Sequence, residues 1–175
     1  DGTGVLYDEN SVISSDITLH AFWNDELILC SINGNTHGDL QSCIDEANTG
    51  DTITLLDNTR GHDILVDSSK DITLDLNGYT LSNDVTTSNP VITNRGKLTV
   101  INGTVSSAAS AGVFNNEGVG ELTIGNGARI IATGARQGIY NDGAKLVISD
   151  GAYISATASA RATVQNHGNG QLIIT

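Results

Sequence analysis

The chain has 175 residues, with 20 glycines, one proline, no methionine and only 4% aromatic residues. So few aromatics suit a narrow core filled by aliphatic side chains better than a broad globular one. The net charge of −12 at pH 7 works against nucleic acid, whose phosphates need Lys and Arg. It also works against an anionic membrane surface, and it favours an extracellular or cell-surface setting. No run is long and apolar enough to insert into a membrane. The length suits one main domain with a small appendage, and we divide it into residues 1–24, 25–51 and 52–175.

In residues 1–24, the stretch Val12 to Trp23 alternates apolar and polar positions and ends in Phe22-Trp23. It reads as a strand after a polar turn. Asp16-Ile17-Thr18-Leu19-His20-Ala21-Phe22-Trp23 resembles the closing phrase of the Listeria–Bacteroides repeat of bacterial surface proteins. That resemblance implies the C-terminal remnant of a β-grasp-like module whose first half is missing here. The first residue is not Met and no leader is legible, so we expect a piece of a longer chain.

In residues 25–51, Leu27 to Ile32 is a strand candidate closed by Asn33-Gly34. Asp39 to Asn48 is the one convincing helix: Leu40, Cys43, Ile44 and Ala47 follow the spacing of a single apolar face. Thr36 or Asp39 caps its start, and Asn48-Thr49-Gly50 stops it. Cys30 and Cys43 are the only cysteines. In an acidic, exported chain they read either as a disulfide or as two buried thiols. Two cysteines alone do not make a zinc site.

Residues 52–175 are organised by repetition. Leu74, Leu98, Leu122 and Leu146 recur every 24 residues, and Leu172 follows. Two positions on, Leu76, Val100, Ile124, Ile148 and Ile174 keep the same rhythm. A second ladder reads Asn94-Arg95-Gly96, Asn116-Glu117-Gly118, Asn141-Asp142-Gly143 and Asn166-His167-Gly168. A fixed period of this length marks a solenoid whose units stack because none can bury a face alone. Within each unit the period is two, so the segments are strands. Asn77-Gly78, Asn102-Gly103, Asn126-Gly127 and Asp150-Gly151 mark corners, since these residues tolerate positive φ. Three strands and three corners per unit describe one coil of a single-stranded parallel β-helix. Stacked coils would align Asn94, Asn116, Asn141 and Asn166 in a hydrogen-bonded amide ladder.

Leu40-Gln41, Ile44, Ala47, Gly50-Asp51-Thr52-Ile53 and Leu55 resemble the entry to pectin-lyase-like right-handed β-helices, and Asp71 to Leu81 resembles their first full coil. The resemblance implies an all-β right-handed solenoid with the short helix plugging its N-terminal end. It leaves function open, because that family holds lyases, hydrolases, phage tailspikes and non-catalytic adhesins. The chain stops at Thr175 in a coil that has just begun. We expect either truncation, or self-association through an open C-terminal coil whose strand edges invite pairing.

A glycoside hydrolase needs paired carboxylates on neighbouring coils, one to give a proton and one to activate water. The outward positions between the core ladders read Asp75, Thr99, Thr123, Val147 and Ile173, which is no catalytic cluster, and we name no catalytic residue. Asp67, Asp71 and Asp75, with Asp57 and Asp63 nearby, are candidates for weak Ca²⁺ binding; a solvated acidic flank is the plainer reading. No other cofactor is expected. Thr99 and Thr123 lie on a flat polar face on which a host glycan or surface protein could rest. The expected function is a non-catalytic cell-surface adhesin stalk or binding module. The alternatives are a filament subunit joined end to end, and a fragment of a polysaccharide lyase or hydrolase whose site lies elsewhere.

Overall fold

The computed structural model describes residues 28–61, 63–83, 88–109, 112–134, 137–157 and 162–175. The N-terminal strand and the surface-repeat resemblance lie outside the described residues. Strand β1 (Cys30–Ile32) turns through Asn33-Gly34 into β2 (Asn35–His37). Both turn residues have positive φ, 49° and 85°. This is the backbone that a two-residue hairpin of matching twist requires, and Asn-Gly supplies it without strain. The sequence predicts the first strand and the turn but not the returning strand, because Asn35-Thr36-His37 has no apolar alternation.

Helix α1 (Leu40–Glu46) follows. The Asp39 side chain accepts from Ser42 N at 2.9 Å and Ser42 Oγ at 2.6 Å, so Asp39 rather than Thr36 is the cap. The helix ends before Asn48 because Asp51 Oδ2 takes the Asn48 N–H at 2.8 Å, and Gly50 (φ 88°) closes the turn. Leu40, Cys43 and Ile44 are buried against the first coil.

The coils then repeat. β3 (Thr52–Leu55), β4 (Thr59–Arg60) and β5 (Ile64–Val66) form the first. β6 (Asp71–Asp75), β7 (Thr80–Asn83) and β8 (Ile92–Asn94) form the second. β9 (Lys97–Ile101), β10 (Gly103–Ser107) and β11 (Phe114–Glu117) form the third. β12 (Glu121–Ile124), β13 (Ala128–Ala132) and β14 (Ile139–Asp142) form the fourth. β15 (Lys145–Ile148), β16 (Tyr153–Ala156) and β17 (Val164–His167) follow, and β18 (Gln171–Ile174) opens the next. Sheet A runs β18-β15-β12-β9-β6-β3-β1-β2, sheet B runs β16-β13-β10-β7-β4, and sheet C runs β17-β14-β11-β8-β5. Coil-to-coil pairing is parallel, and among the described strands β1 alone joins the stack antiparallel, on β3. The protein is a mostly-β parallel solenoid, with one short helix among the described residues.

The register corrects one expectation. Leu74 does not stand over Leu98; it pairs with Val100, and Ile72 pairs with Leu98. Side chains alternate with a period of two, so a slip of two residues keeps every apolar residue inside and leaves the hydrophobic pattern unchanged. The polar residues distinguish the two alignments. The observed one sets Asp71 against Lys97 and Thr73 against Thr99, and it moves Asp75 beside Ile101. The outward row is therefore Thr73, Thr99, Thr123, Val147 and Ile173, with no carboxylate in it.

The inward rows of the three sheets share one core. Ile53, Leu74, Val100 and Ile124 come from sheet A, Leu81, Val105 and Ile130 from sheet B, and Ile64, Ile92, Phe114 and Ile139 from sheet C. Among the described residues Phe114 is the largest fully buried side chain, and apart from Cys30 and Cys43 the other buried apolar side chains are aliphatic, as the low aromatic content implied.

Candidate functional site

The inner corner between sheets C and A carries the amide ladder. Asn94 Nδ2 donates to Asn116 Oδ1 at 2.8 Å, Asn116 Nδ2 to Asn141 Oδ1 at 2.6 Å, and Asn141 Nδ2 to Asn166 Oδ1 at 2.6 Å. The amides also secure the turns. Asn94 donates to Gly96 O, Asn116 to Lys145 O, Asn141 to Ala144 O and Asn166 to Gly170 O. Asn94, Asn116 and Asn141 are fully buried, so the hydrogen bonds replace water that the amides have lost. The glycines flanking the ladder make room for it: a Cβ on Gly120 would lie 2.8 Å from both Asn116 Oδ1 and Asn94 O. Asn94, Asn116 and Asn141 are enclosed and hold the coils together, while Asn166 is exposed on the last coil.

Cys30 and Cys43 form a disulfide that ties the β1–β2 hairpin to α1, and both are fully buried. Two further ties hold the helix. Gln41 Nε2 donates to Leu65 O at 3.0 Å while its Oε1 accepts from Leu65 N at 2.9 Å. That two-point clasp occupies backbone groups of β5 that have no coil above them. Lys70 Nζ donates to Asp45 O and Ala47 O, both at 2.9 Å, where a helix C-terminus leaves carbonyls unsatisfied. The N-terminal end of the solenoid is closed by covalent, polar and apolar contacts together.

The candidate calcium ligands are not brought together. Asp67 Oδ1 accepts from Ser69 N at 3.1 Å, which holds its carboxyl below the ordinary range. Asp71 faces Lys97 at 3.4 Å. Asp75 accepts from Asn77 N at 2.8 Å and Asn102 Nδ2 at 3.2 Å. Asp71 and Asp75 sit at opposite ends of one strand, about 13 Å apart at the ordinary rise per residue. Among the described residues no three of His, Cys, Asp and Glu stand close enough to share a metal ion.

The outer faces carry ordered rows that local sequence reading did not register. Asp71, Lys97, Glu121, Lys145 and Gln171 align on sheet A with alternating charge, and Lys145 Nζ meets Glu121 Oε1 at 2.6 Å. The signal was present one position before Ile72, Leu98, Leu122, Leu146 and Leu172, but only the register makes these residues neighbours. At the Asn-x-Gly corners, Arg95 Nε meets Glu117 Oε1 at 2.7 Å and His167 Nδ1 meets Asp142 Oδ1 at 3.0 Å. These corner residues pair between coils. On sheet B, Arg129 lies over the Tyr153 ring at 4.4 Å, a cation–π contact. Thr99 and Thr123 are direct neighbours on sheet A, half-buried, with Thr73 beyond Thr99 in the same row.

The fold and these rows define a parallel β-solenoid with a disulfide-closed N-terminal end. The chain matches no family model, no curated protein and no solved structure. No helix among the described residues is long and apolar enough to cross a membrane.

Proposed function

We propose that this chain is a non-catalytic stalk or binding module of a bacterial cell-surface protein, built on a pectin-lyase-like right-handed β-helix and facing an extracellular glycan or protein. The observation that carries this reading is how the carboxylates are engaged. Asp39 caps a helix, Asp51 and Asp67 close turns, Glu117 holds Arg95, and Glu121 holds Lys145. Paired or turn-bound carboxylates serve the rod and are not free to move protons on a sugar. A disulfide at the end of the rod supports an oxidising, extracellular setting.

End-to-end assembly through open ends is the weaker alternative. At the N-terminal end a second molecule would meet α1 and the hairpin, and it would have to displace a disulfide-tied, buried cap to reach a coil.

The test uses the purified chain on an array of host and microbial glycans and matrix proteins, alongside an assay for reducing ends or unsaturated products from polygalacturonate. Saturable capture without product is the expected result. Turnover of the polysaccharide by the folded chain would sink the non-catalytic reading.

A further inference from the structure

On sheet C, Asn115 and Tyr140 are register partners on neighbouring strands and face outward. Just before those strands lie Gly112 and Gln137. A Cβ on Gly112 would come within 2.7 Å of Gln137 O, so glycine lets the two coils close up there. The result is a cleft of about 230 Å³ whose lining includes Pro90, Gly112, Phe114, Asn115, Gln137 and Tyr140.

The amides are the unusual part. Gln137 is only 5% exposed, and its Oε1 has no hydrogen-bond partner among the described residues. Asn115 Oδ1 is likewise buried without a partner. Buried amide oxygens are rarely left unsatisfied, because they have given up water for nothing. Here the two residues that carry them line one cleft. The orientation of Asn115 has a cause: its Nδ2 donates to Glu117 Oε2 at 2.8 Å. A carboxylate only accepts, so Glu117 holds the amino side of Asn115 and leaves the oxygen unmatched.

The cleft therefore offers acceptors and asks for donors. Among the described residues neither Lys nor Arg lines the cleft, so nothing in its lining calls for an anion. A cation finds no free carboxylate, because Arg95 holds Glu117 Oε1 while Asn115 holds Oε2. A neutral polyol fits: hydroxyls donate to the two oxygens, and the aromatic face of Tyr140 takes the apolar side of the ring. The volume falls below the roughly 300–1,000 Å³ of sites for drug-sized ligands, which suits one sugar ring of a longer glycan. The Gln137 terminal torsion is soft, so its oxygen can turn to a hydroxyl at small cost.

We propose that the sheet C cleft binds one uncharged sugar residue, with Asn115 Oδ1 and Gln137 Oε1 accepting from its hydroxyls and Tyr140 packed against its ring. This rests on the binding-module reading and names the ligand class for it.

The test is amide NMR of the ¹⁵N-labelled chain titrated with lactose and with N,N′-diacetylchitobiose, using digalacturonate as the charged comparator. A single sugar residue should bind with Kd of about 1 mM. Shifts from at least one neutral disaccharide should concentrate at Gly112, Asn115, Gln137 and Tyr140, including the two side-chain amides. Tyr140→Ala should abolish them, while Thr104→Ala on sheet B should not. Gln137→Met should weaken binding about three- to tenfold without lowering the urea midpoint, because it removes an unsatisfied acceptor; a purely structural Gln137 would lower the midpoint. No shift up to about 50 mM, well above that Kd, or an equal response to digalacturonate, overturns the proposal. If the glycan array captures the chain and Tyr140→Ala does not reduce capture, the cleft is wrong and the binding-module reading stands. Absence of both capture and shifts defeats both.

Discussion

Asn94 pairs in register with Val66, and its Oδ1 is buried with no hydrogen-bond partner among the described residues. The amide ladder thus begins at Asn94, because the equivalent place in the coil above is apolar. The two upper rungs should differ in worth. Asn116→Ala removes a donor and an acceptor and leaves Asn141 Oδ1 unmatched, which should cost about 3 kcal/mol. Asn94→Ala also leaves an oxygen unmatched, Asn116 Oδ1, but it breaks one rung instead of two and removes an oxygen that was already unsatisfied, so it should cost about 1 kcal/mol less than Asn116→Ala. Urea unfolding of both variants checks the order. Equal losses would mean that the rungs act independently of their place in the ladder.

Closure of the N-terminal end depends on the Cys30–Cys43 disulfide, with a sequence separation of 13 residues. Cross-linking a loop of this length is worth about 3 kcal/mol through the unfolded chain. Replacing both cysteines with serine should lower stability by about that amount. Hydrogen exchange should rise first in β1, β2 and α1, while β12 and β15 keep their protection. A uniform rise through all the coils would show that the cap and the solenoid open as one unit.

The alternating row Asp71, Lys97, Glu121 and Lys145 gives a third prediction. Lys97→Glu would place three carboxylates in succession on neighbouring strands, where like charges repel. The pairs are surface-exposed, so the expected cost is about 1 kcal/mol, and added salt should recover part of it. Lys97→Gln should cost less. If reversal and neutralisation have the same effect, the row contributes packing rather than charge.

Acid should loosen the cap before the coils. Hydrogen bonds from Ser42 to Asp39, from Asn35 and His37 to Glu46, and from Asn48 and Asn33 to Asp51 hold these carboxyls below their ordinary range. A depressed folded pKa contributes stability that is present above the unfolded pKa and disappears as pH falls through the folded one. The loss should begin as pH falls below about 4.5, where the unfolded carboxyls start to protonate, and grow as the folded ones follow. It should be visible as faster exchange in α1 and the hairpin relative to β9 and β12. Cap protection that is unchanged across that window would mean these carboxyls are not linked to folding.

Much of the architecture could be read from the residues in order. Leu98-Thr99-Val100 and its successors show the strand period, the Asn-x-Gly triplets mark a corner and its ladder, and Leu40, Cys43, Ile44 and Ala47 mark the capping helix. These signals are local: each depends on side chains two to four residues apart, or on a repeat that needs only counting. The amino-acid order also limited the cysteines to two readings without choosing between them.

Tertiary structure decided what depends on alignment between coils. Leu74 meets Val100 rather than Leu98, since strands slipped by two residues bury the same face. That alignment placed Lys97 against Asp71 and took Asp75 out of the threonine row. Asn115, Gln137 and Tyr140 share a cleft only because two coils close over Gly112. None of these three carries a local motif. Their chemistry comes from which atoms the fold has removed from water and which of those it has left unmatched.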